Sequence, residues 1–300
     1  MSSTIQNPYL QPEMVSRLSR LDLVARLVVE GFITGLHRSP YHGFSVEFSE
    51  YRPYMPGDAM RHIDWKVLGR TDRYYVKQFE EETNLKAYLL LDTSGSMGYG
   101  SGPVTKLQYA SYLCAALSYL MLKQRDAVGL VLFNEAIREY HPPRSAMSYL
   151  HVLLNALDQA VPGRLTQVAN TFHELAERIK RRGLVIVLSD LLDDADSILS
   201  ALKHFRHKKH EVIVFHILDP QEKEFKFKGN VVFEDMESGE KIQTQPDHIQ
   251  NAYQQFMAER LARFKGECHQ HRIDYVPLVT SQSYDVALMQ YLMKRSRVGG

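Results

Sequence analysis

Sulfur chemistry is what this chain has least of. Its 300 residues hold two cysteines, Cys114 inside a helical pattern and Cys268 near a helix end. Two distant thiols make no disulfide framework, which favours a reducing compartment. No N-terminal stretch joins a charged start to an apolar core, and no apolar run reaches about 18 residues, so neither a secretory leader nor a membrane span is legible. Charge of one sign is missing too. With 36 basic and 35 acidic residues the formal net charge is +1, which gives no global pull toward nucleic acid or an anionic membrane. The expectation is a soluble, cytoplasmic protein with no nucleic-acid partner and no transmembrane segment. The length suffices for one large domain or two modest ones with ample core.

What is present centres on residues 84–97. Leu85, Ala87, Tyr88, Leu89, Leu90 and Leu91 form an apolar run with the continuity of a strand buried on both faces. It stops at Asp92, and Thr93-Ser94-Gly95-Ser96 follow in a turn that Gly95 permits. A glycine-rich loop (Gly98, Gly100, Gly102) then leads to a helix starting near Thr105. In an open α/β sheet, ligands gather at the carboxyl ends of strands. Asp92, Ser94 and Ser96 offer one carboxylate and two hydroxyls, the oxygen donors of a hard cation such as Mg²⁺, with Mn²⁺ or Ca²⁺ as alternatives. The plainer reading is a strand-to-helix turn in which these side chains only cap the next helix.

Around this stretch the patterning is α/β. Residues 12–36 carry the spacing of one amphipathic helix, and Phe44, Val46 and Phe48 alternate as a half-buried strand. Pro53, Pro56 and Gly57 interrupt regular structure until a strand resumes over Tyr74–Phe79. Between them Asp58, Arg61, Asp64, Trp65 and Arg70 crowd into a short span. They read either as buried Arg–Asp pairs around the only tryptophan or as a recognition surface. Further on come a helix to Gln124, strand 127–133, and a short edge strand 137–140 broken off by Pro142-Pro143. A helix capped by Ser145 and a helix over 170–180 precede strand 184–188, which ends in Ser189-Asp190. A helix to His207, strand 211–218, a β-hairpin over 230–244, helix 247–266, strand 272–279 and helix 283–295 complete the chain. Such alternation implies a mainly parallel, doubly wound sheet. Residues 1–83 form an N-terminal helix and β/loop extension in this reading. Residues 84–300 form the main domain, with a hairpin insertion at 225–245.

Other chemistry falls away on inspection. Gly98–Lys106 lacks the glycine that a phosphate loop needs directly before its lysine. Asp92 lacks the second acid expected beside a phosphoryl acceptor. His204, His207 and His210, and Cys268-His269-Gln270-His271, read as solvated helix-end faces rather than zinc ligands. The basic clusters Arg178–Arg182 and Lys294–Arg297 also fall in last helical turns and have no interleaved aromatics for nucleic acid.

Asp92-Thr-Ser-Gly-Ser-Met97 after a buried strand resembles the metal-ion-dependent adhesion site of von Willebrand factor A domains. The resemblance implies a Rossmann-like, von Willebrand factor A-like fold. It also implies a metal set completed by a threonine from a second loop and an aspartate from a later strand end. Here these are Thr166, in Gly163-Arg-Leu-Thr166 with Thr171 as rival, and Asp190, so the implied set is Asp92, Ser94, Ser96, Thr166 and Asp190. A longer pattern, Tyr54-x-Pro-Gly-Asp58-x-x-Arg61-x-Ile-Asp64-Trp65 through Arg70, stands ahead of it, and Arg181–Asp190 fits as well. Together they resemble the family catalogued as domain of unknown function 58, over roughly residues 35–295. Members are commonly associated with MoxR-type AAA+ ATPases and are thought to act as adaptors or chaperone-like partners. The resemblance therefore implies a non-enzymatic protein-binding adaptor. Its cation would meet an acidic side chain of a MoxR-type ATPase or of an unidentified client protein. The alternative is a metal-dependent, phosphoesterase-like hydrolase in the same pocket, for which no poised general base is legible.

Overall fold

The computed structural model describes residues 11–15, 20–37, 51–53, 69, 75–77, 85–163, 168–227, 229, 231–234, 236 and 239–298. In its N-terminal part, α1 (Pro12–Val15) and α2 (Leu21–His37) precede β1 (Tyr51–Pro53) and β2 (Tyr75–Lys77), which pair antiparallel. The expected single helix over 12–36 is thus described as two helical pieces, and the expected strand at 44–48 lies outside the described residues. Pro53 ends β1, a position a proline tolerates because an edge strand needs no donor there.

The apolar run after residue 84 is β3 (Lys86–Asp92), followed by α3 (Lys106–Lys123), β4 (Ala127–Phe133) and β5 (Ile137–Arg144). Then come α4 (Leu150–Asp158), α5 (Val168–Arg178), β6 (Leu184–Ser189), α6 (Ala195–His207), β7 (Glu211–Leu218) and α7 (Pro220–Glu224). The chain closes with β8 (Val231–Glu234), β9 (Lys241–Thr244), α8 (Pro246–Gln270), β10 (Asp274–Val279) and α9 (Asp285–Val298). Six strands form one sheet in the order β10-β7-β6-β3-β4-β5, parallel except for the antiparallel edge strand β5. β8 and β9 pair with each other, antiparallel.

Side-chain alternation along the central strands builds a layer on each face. Ala87, Leu89 and Leu91 of β3 point into a core shared with α2, α3, α4 and α9, while Tyr88 and Leu90 point into one shared with α5, α6 and α8. A strand covered on both faces must be apolar throughout, which is why β3, β6 and β7 read as unbroken runs. α3 is buried along most of its length, and α2 lies over it through Val24, Ala25, Val28, Val29 and Phe32. Each valine and phenylalanine among them contributes roughly 1.5–3 kcal/mol of burial. Tyr109 of α3 stacks on Tyr284 at 4.7 Å, just ahead of α9.

Two local expectations are corrected. Pro142 and Pro143 do not end β5; they lie inside it, at the sheet edge, where a missing N–H breaks no ladder. Opposite them Gly129 is required, since a Cβ there would stand 2.7 Å from the His141 carbonyl oxygen. Ser145 caps nothing: a 3₁₀ turn over Met147–Tyr149 leads into α4 without a side-chain cap.

The winding places the site. From β3 the chain moves to β4 and β5 on one side, then returns to β6 on the other side of β3. That reversal makes the β3/β6 boundary the switch point of the sheet, where open α/β folds leave a crevice at the strand carboxyl ends.

Candidate functional site

Asp92 ends β3 and Asp190 directly follows β6, so the two carboxylates flank the switch point. Both are buried. Asp92 Oδ1 accepts the Ser94 N–H at 2.9 Å and Oδ2 accepts the Ser189 hydroxyl at 2.6 Å. The same Ser189 oxygen accepts the Leu191 N–H at 2.9 Å, which fixes the turn after β6. Leu191 itself sits at φ 52°, in the left-handed region that a leucine rarely adopts. Arg260 of α8 holds that turn from outside, donating to the carbonyls of Leu191 at 2.5 Å and Asp193 at 2.8 Å.

The D-T-S-G-S turn is equally constrained. Thr93 donates through its N–H and its hydroxyl to the Phe133 carbonyl, at 2.7 and 2.9 Å. Ser94 and Ser96 bring their hydroxyl oxygens within 3.1 Å of each other. Two adjacent ligands of an octahedral ion bound at ~2.1 Å lie about 3.0 Å apart. The second loop docks on this turn through Gly163, whose N–H donates to the Thr93 carbonyl at 2.7 Å. A Cβ at Gly163 would fall 2.3 Å from Asn134 Nδ2, so a larger residue there would have to displace the Asn134 side chain. Thr166, three residues on, lies outside the described residues. The rival Thr171 donates its hydroxyl to the Asn134 carbonyl at 3.3 Å. Asp58, Arg61, Asp64, Trp65 and Arg70 also lie outside the described residues.

The residue that patterning missed is Lys106. At the first position of α3 its side chain is fully buried, with Nζ 2.7 Å from Asp190 Oδ2 and 2.5 Å from Glu222 Oε1. Burial works against the ammonium, but the charges of Asp190 and Glu222 outweigh it and raise Lys106 above its ordinary value. The signal was available: the first turn of a helix is where a cation is least favoured. A lysine heading an otherwise apolar helix therefore needs carboxylates close by. Asp219, after β7, adds a third strand-end aspartate. It accepts the N–H and hydroxyl of Ser101, at 2.8 and 2.5 Å, and caps α7 through the Gln221 N–H. The glycine-rich loop is thereby tied to the turn carrying Glu222.

Electrostatically the cluster is unbalanced. Asp92 is pushed up to about 7, first by burial and then by the charge of Asp190. His216 of β7 sits behind Asp190. Its Nε2–H donates to the Asp190 carbonyl at 2.8 Å, its Nδ1 accepts from the Tyr275 hydroxyl at 2.6 Å, and burial lowers it to about 4. It is therefore neutral at pH 7 and supplies no positive charge. Among the described residues no three His, Cys, Asp or Glu side chains converge on one point. Any cation here would take a mixed set of hydroxyls and carboxylates. Asp92, Ser94 and Ser96 fit that set in donor type, and the two serines fit it in spacing; Asp92 already accepts from Ser189 and the Ser94 N–H, and Asp190 from Lys106 and, at 3.3 Å, the Leu192 N–H.

Compared with known proteins, residues 50–263 match the family described as Protein of unknown function DUF58. Uncharacterized proteins of Mycobacterium bovis and Mycobacterium tuberculosis are each 29% identical over 233 residues, covering 76% of this chain and 72% of theirs. Among solved structures, the conserved hypothetical protein BatB from Bacteroides thetaiotaomicron is similar at a TM-score of 0.46 and 16% identity, over 71% of this chain and 99% of that one. An aerotolerance-related membrane protein from Bacteroides fragilis gives 0.47 and 18%, over 70% and 99%. The expected cytoplasmic location is corrected by these neighbours: that protein and an uncharacterized one from Vibrio fischeri, described as membrane spanning, are membrane proteins by their descriptions. Among the described residues no helix is long and apolar enough to cross a membrane. The absence of an apolar run reports hydropathy alone and does not fix where a protein resides.

Proposed function

The chain belongs to the DUF58 family, and from that premise we propose that it is a non-enzymatic, von Willebrand factor A-like adaptor. Its Asp92–Ser94–Ser96–Asp190 rim would hold a divalent cation, Mg²⁺ first and Mn²⁺ or Ca²⁺ in its place, with Thr166 as the second-loop hydroxyl. The observation that carries this reading is the pair of serine oxygens 3.1 Å apart, beside a buried carboxylate with unmet charge, at the sheet's switch point. Bound, the cation supplies an electrophilic position that a carboxylate of another protein can fill. The chain's own residues do the rest. Ser189 and the Ser94 N–H orient Asp92, Gly163 brings the second loop against the first, and Arg260 holds the turn after Asp190. The partner is proposed as a MoxR-type AAA+ ATPase acting on a client protein.

The test is a pull-down with a MoxR-type ATPase from the same organism. Asp92→Ala and Ser94→Ala are expected to weaken binding at least tenfold, as EDTA does with the unaltered chain. Binding unchanged in all three conditions overturns the metal-bridged reading. A hydrolase reading draws on one feature, the raised Asp92 carboxyl, which lies in the range of a general base. Both its oxygens already accept hydrogen bonds and the group is fully buried, so this reading stands second. Turnover of phosphate or ester substrates with Mg²⁺ or Mn²⁺ that disappears in Asp190→Ala would promote it.

A further inference from the structure

Lys106 raises a question that the adaptor reading leaves open. A carboxylate meant for a divalent ion has its Oδ2 in contact with an ammonium at 2.7 Å. The ammonium is not a passing surface partner. It is fully buried, it heads a helix whose dipole disfavours it, and it is held from its far side by Glu222 at 2.5 Å. Glu222 is itself fixed, because its Oε2 accepts the Asp219 N–H at 3.0 Å within the capping box of α7. Tyr99 adds an aromatic face 5.9 Å from the same ammonium. Every contact on Lys106 thus keeps a full positive charge against Asp190.

We propose that Lys106 is a built-in competitor for Asp190, a specificity-determining residue that weakens divalent cation binding at the Asp92–Asp190 rim so that the ion exchanges instead of staying. The inference rests on the metal reading above and concerns how that site is tuned. An ion approaching Asp92, Ser94 and Ser96 meets either a carboxylate already neutralised by Lys106 or, if it takes Asp190, an ammonium left with Glu222 alone. Either way the affinity falls below what two buried aspartates would give unopposed. Glu222 is what makes the exchange tolerable, since it keeps Lys106 paired when Asp190 is withdrawn. The ion and the lysine are alternative counter-charges for one carboxylate, with α7 anchoring the second.

The probe is Mn²⁺ alone, titrated into the full chain and followed by the electron paramagnetic resonance signal of free Mn²⁺. The variants are Lys106→Met and the charge-balanced Lys106→Met/Glu222→Gln, each checked by thermal unfolding. The double variant leaves Asp190 as the single unpaired carboxylate of the triad, so it keeps the test available if Lys106→Met alone does not fold. Mn²⁺ affinity is expected to rise about tenfold or more in the double variant, equivalent to about 1.4 kcal/mol. Tight binding by that variant with none detectable in the unaltered chain would support the competitor role in its strongest form. If the unaltered chain binds Mn²⁺ and the double variant binds no tighter, the competitor role is overturned and the metal reading survives. If neither binds, both fall.

Discussion

Two clusters of buried and half-buried charge stand at opposite rims of the same sheet, and they are built on different rules. At the amino ends of the strands, Glu211 opens β7, Asp274 opens β10 and Asp126 precedes β4. Each has a cation: Lys294 at 2.8 Å and Arg206 at 2.9 Å on Glu211, Lys294 at 3.0 Å on Asp274, and Arg295 at 2.7 Å on Asp126. Burial pushes Glu211 up, but Lys294 and Arg206 more than offset it and hold its carboxyl below the ordinary range. At the carboxyl ends, the Lys106 ammonium pairs with Asp190 and Glu222, Asp219 accepts from the Ser101 hydroxyl, and Asp92, with no cation in contact among the described residues, is pushed up to about 7. The first rim is neutral and clamps α9 to the sheet. The second carries unmet negative charge, as a binding site for a cation must, and as structural ion pairs seldom do.

Removing Lys106 attacks that contrast most strongly. Lys106→Ala leaves the buried Asp190 and the half-buried Glu222 without that counter-charge, and loss of one partner from a buried pair costs about 3–5 kcal/mol. Urea unfolding at pH 7 measures it. Mg²⁺ is expected to stabilise this variant more than the unaltered chain, because the vacated carboxylate then favours the ion. An equal Mg²⁺ effect on both would mean the two rims differ less than described.

Acid separates the rims by window. His216, folded at about 4 against an ordinary value of about 6.5, is neutral in the folded chain and protonated in the unfolded one between those limits. Its contribution is therefore fully present above pH 6.5 and is lost as pH falls toward 4, by about 3 kcal/mol in all. Asp92, raised in the folded state, slopes the opposite way over much of the same range. The difference between the unaltered chain and His216→Gln, melted across pH 4–7, isolates the histidine. A difference that stays flat would place His216 in water, outside the site. Within the amino rim Glu211 responds later: depressed when folded, it holds its contribution above the ordinary carboxylate range and loses it only below, while burial raises Asp126.

How much of this was legible in the sequence follows from how local each signal is. β3, β6 and β7 declared themselves because a strand covered on both faces has no polar position to hide, and Asp92 and Ser189-Asp190 stood out as the punctuation ending two such runs. Lys106 did not, since its burial is decided by Asp190, 84 residues away, and Glu222, 116 away. Lys294 and His210 were misread for the same reason. Lys294 read as part of a basic last helical turn and His210 as a solvated helix-end face, yet Lys294 is drawn under by Glu211 and Asp274, and His210 is buried beside the Ile179 carbonyl at 3.1 Å. The five residues around Trp65 were conspicuous in sequence, and the described residues do not include them. The α/β class was thus readable from periodicity, whereas the charge balance of the site depended on pairings that only the folded chain brings together.

The smallest expected effect belongs to the neutral rim, and it is the control for the rest. Arg295→Met removes the donors to Asp126, whose carboxylate is buried but still accepts the Tyr291 hydroxyl at 3.0 Å. Arg295 is 29% exposed, so water reaches the gap it leaves, and the loss should be about 1–2 kcal/mol, well under that of Lys106→Ala. Asp126 lies at the opposite rim from the Ser94–Ser96 pair, so Mg²⁺ should stabilise Arg295→Met no more than the unaltered chain. Urea melts of both variants with and without the ion decide it. A Mg²⁺ gain confined to Lys106→Ala identifies the carboxyl rim as the place where the ion acts; an equal gain in Arg295→Met would mean the ion binds the surface at large.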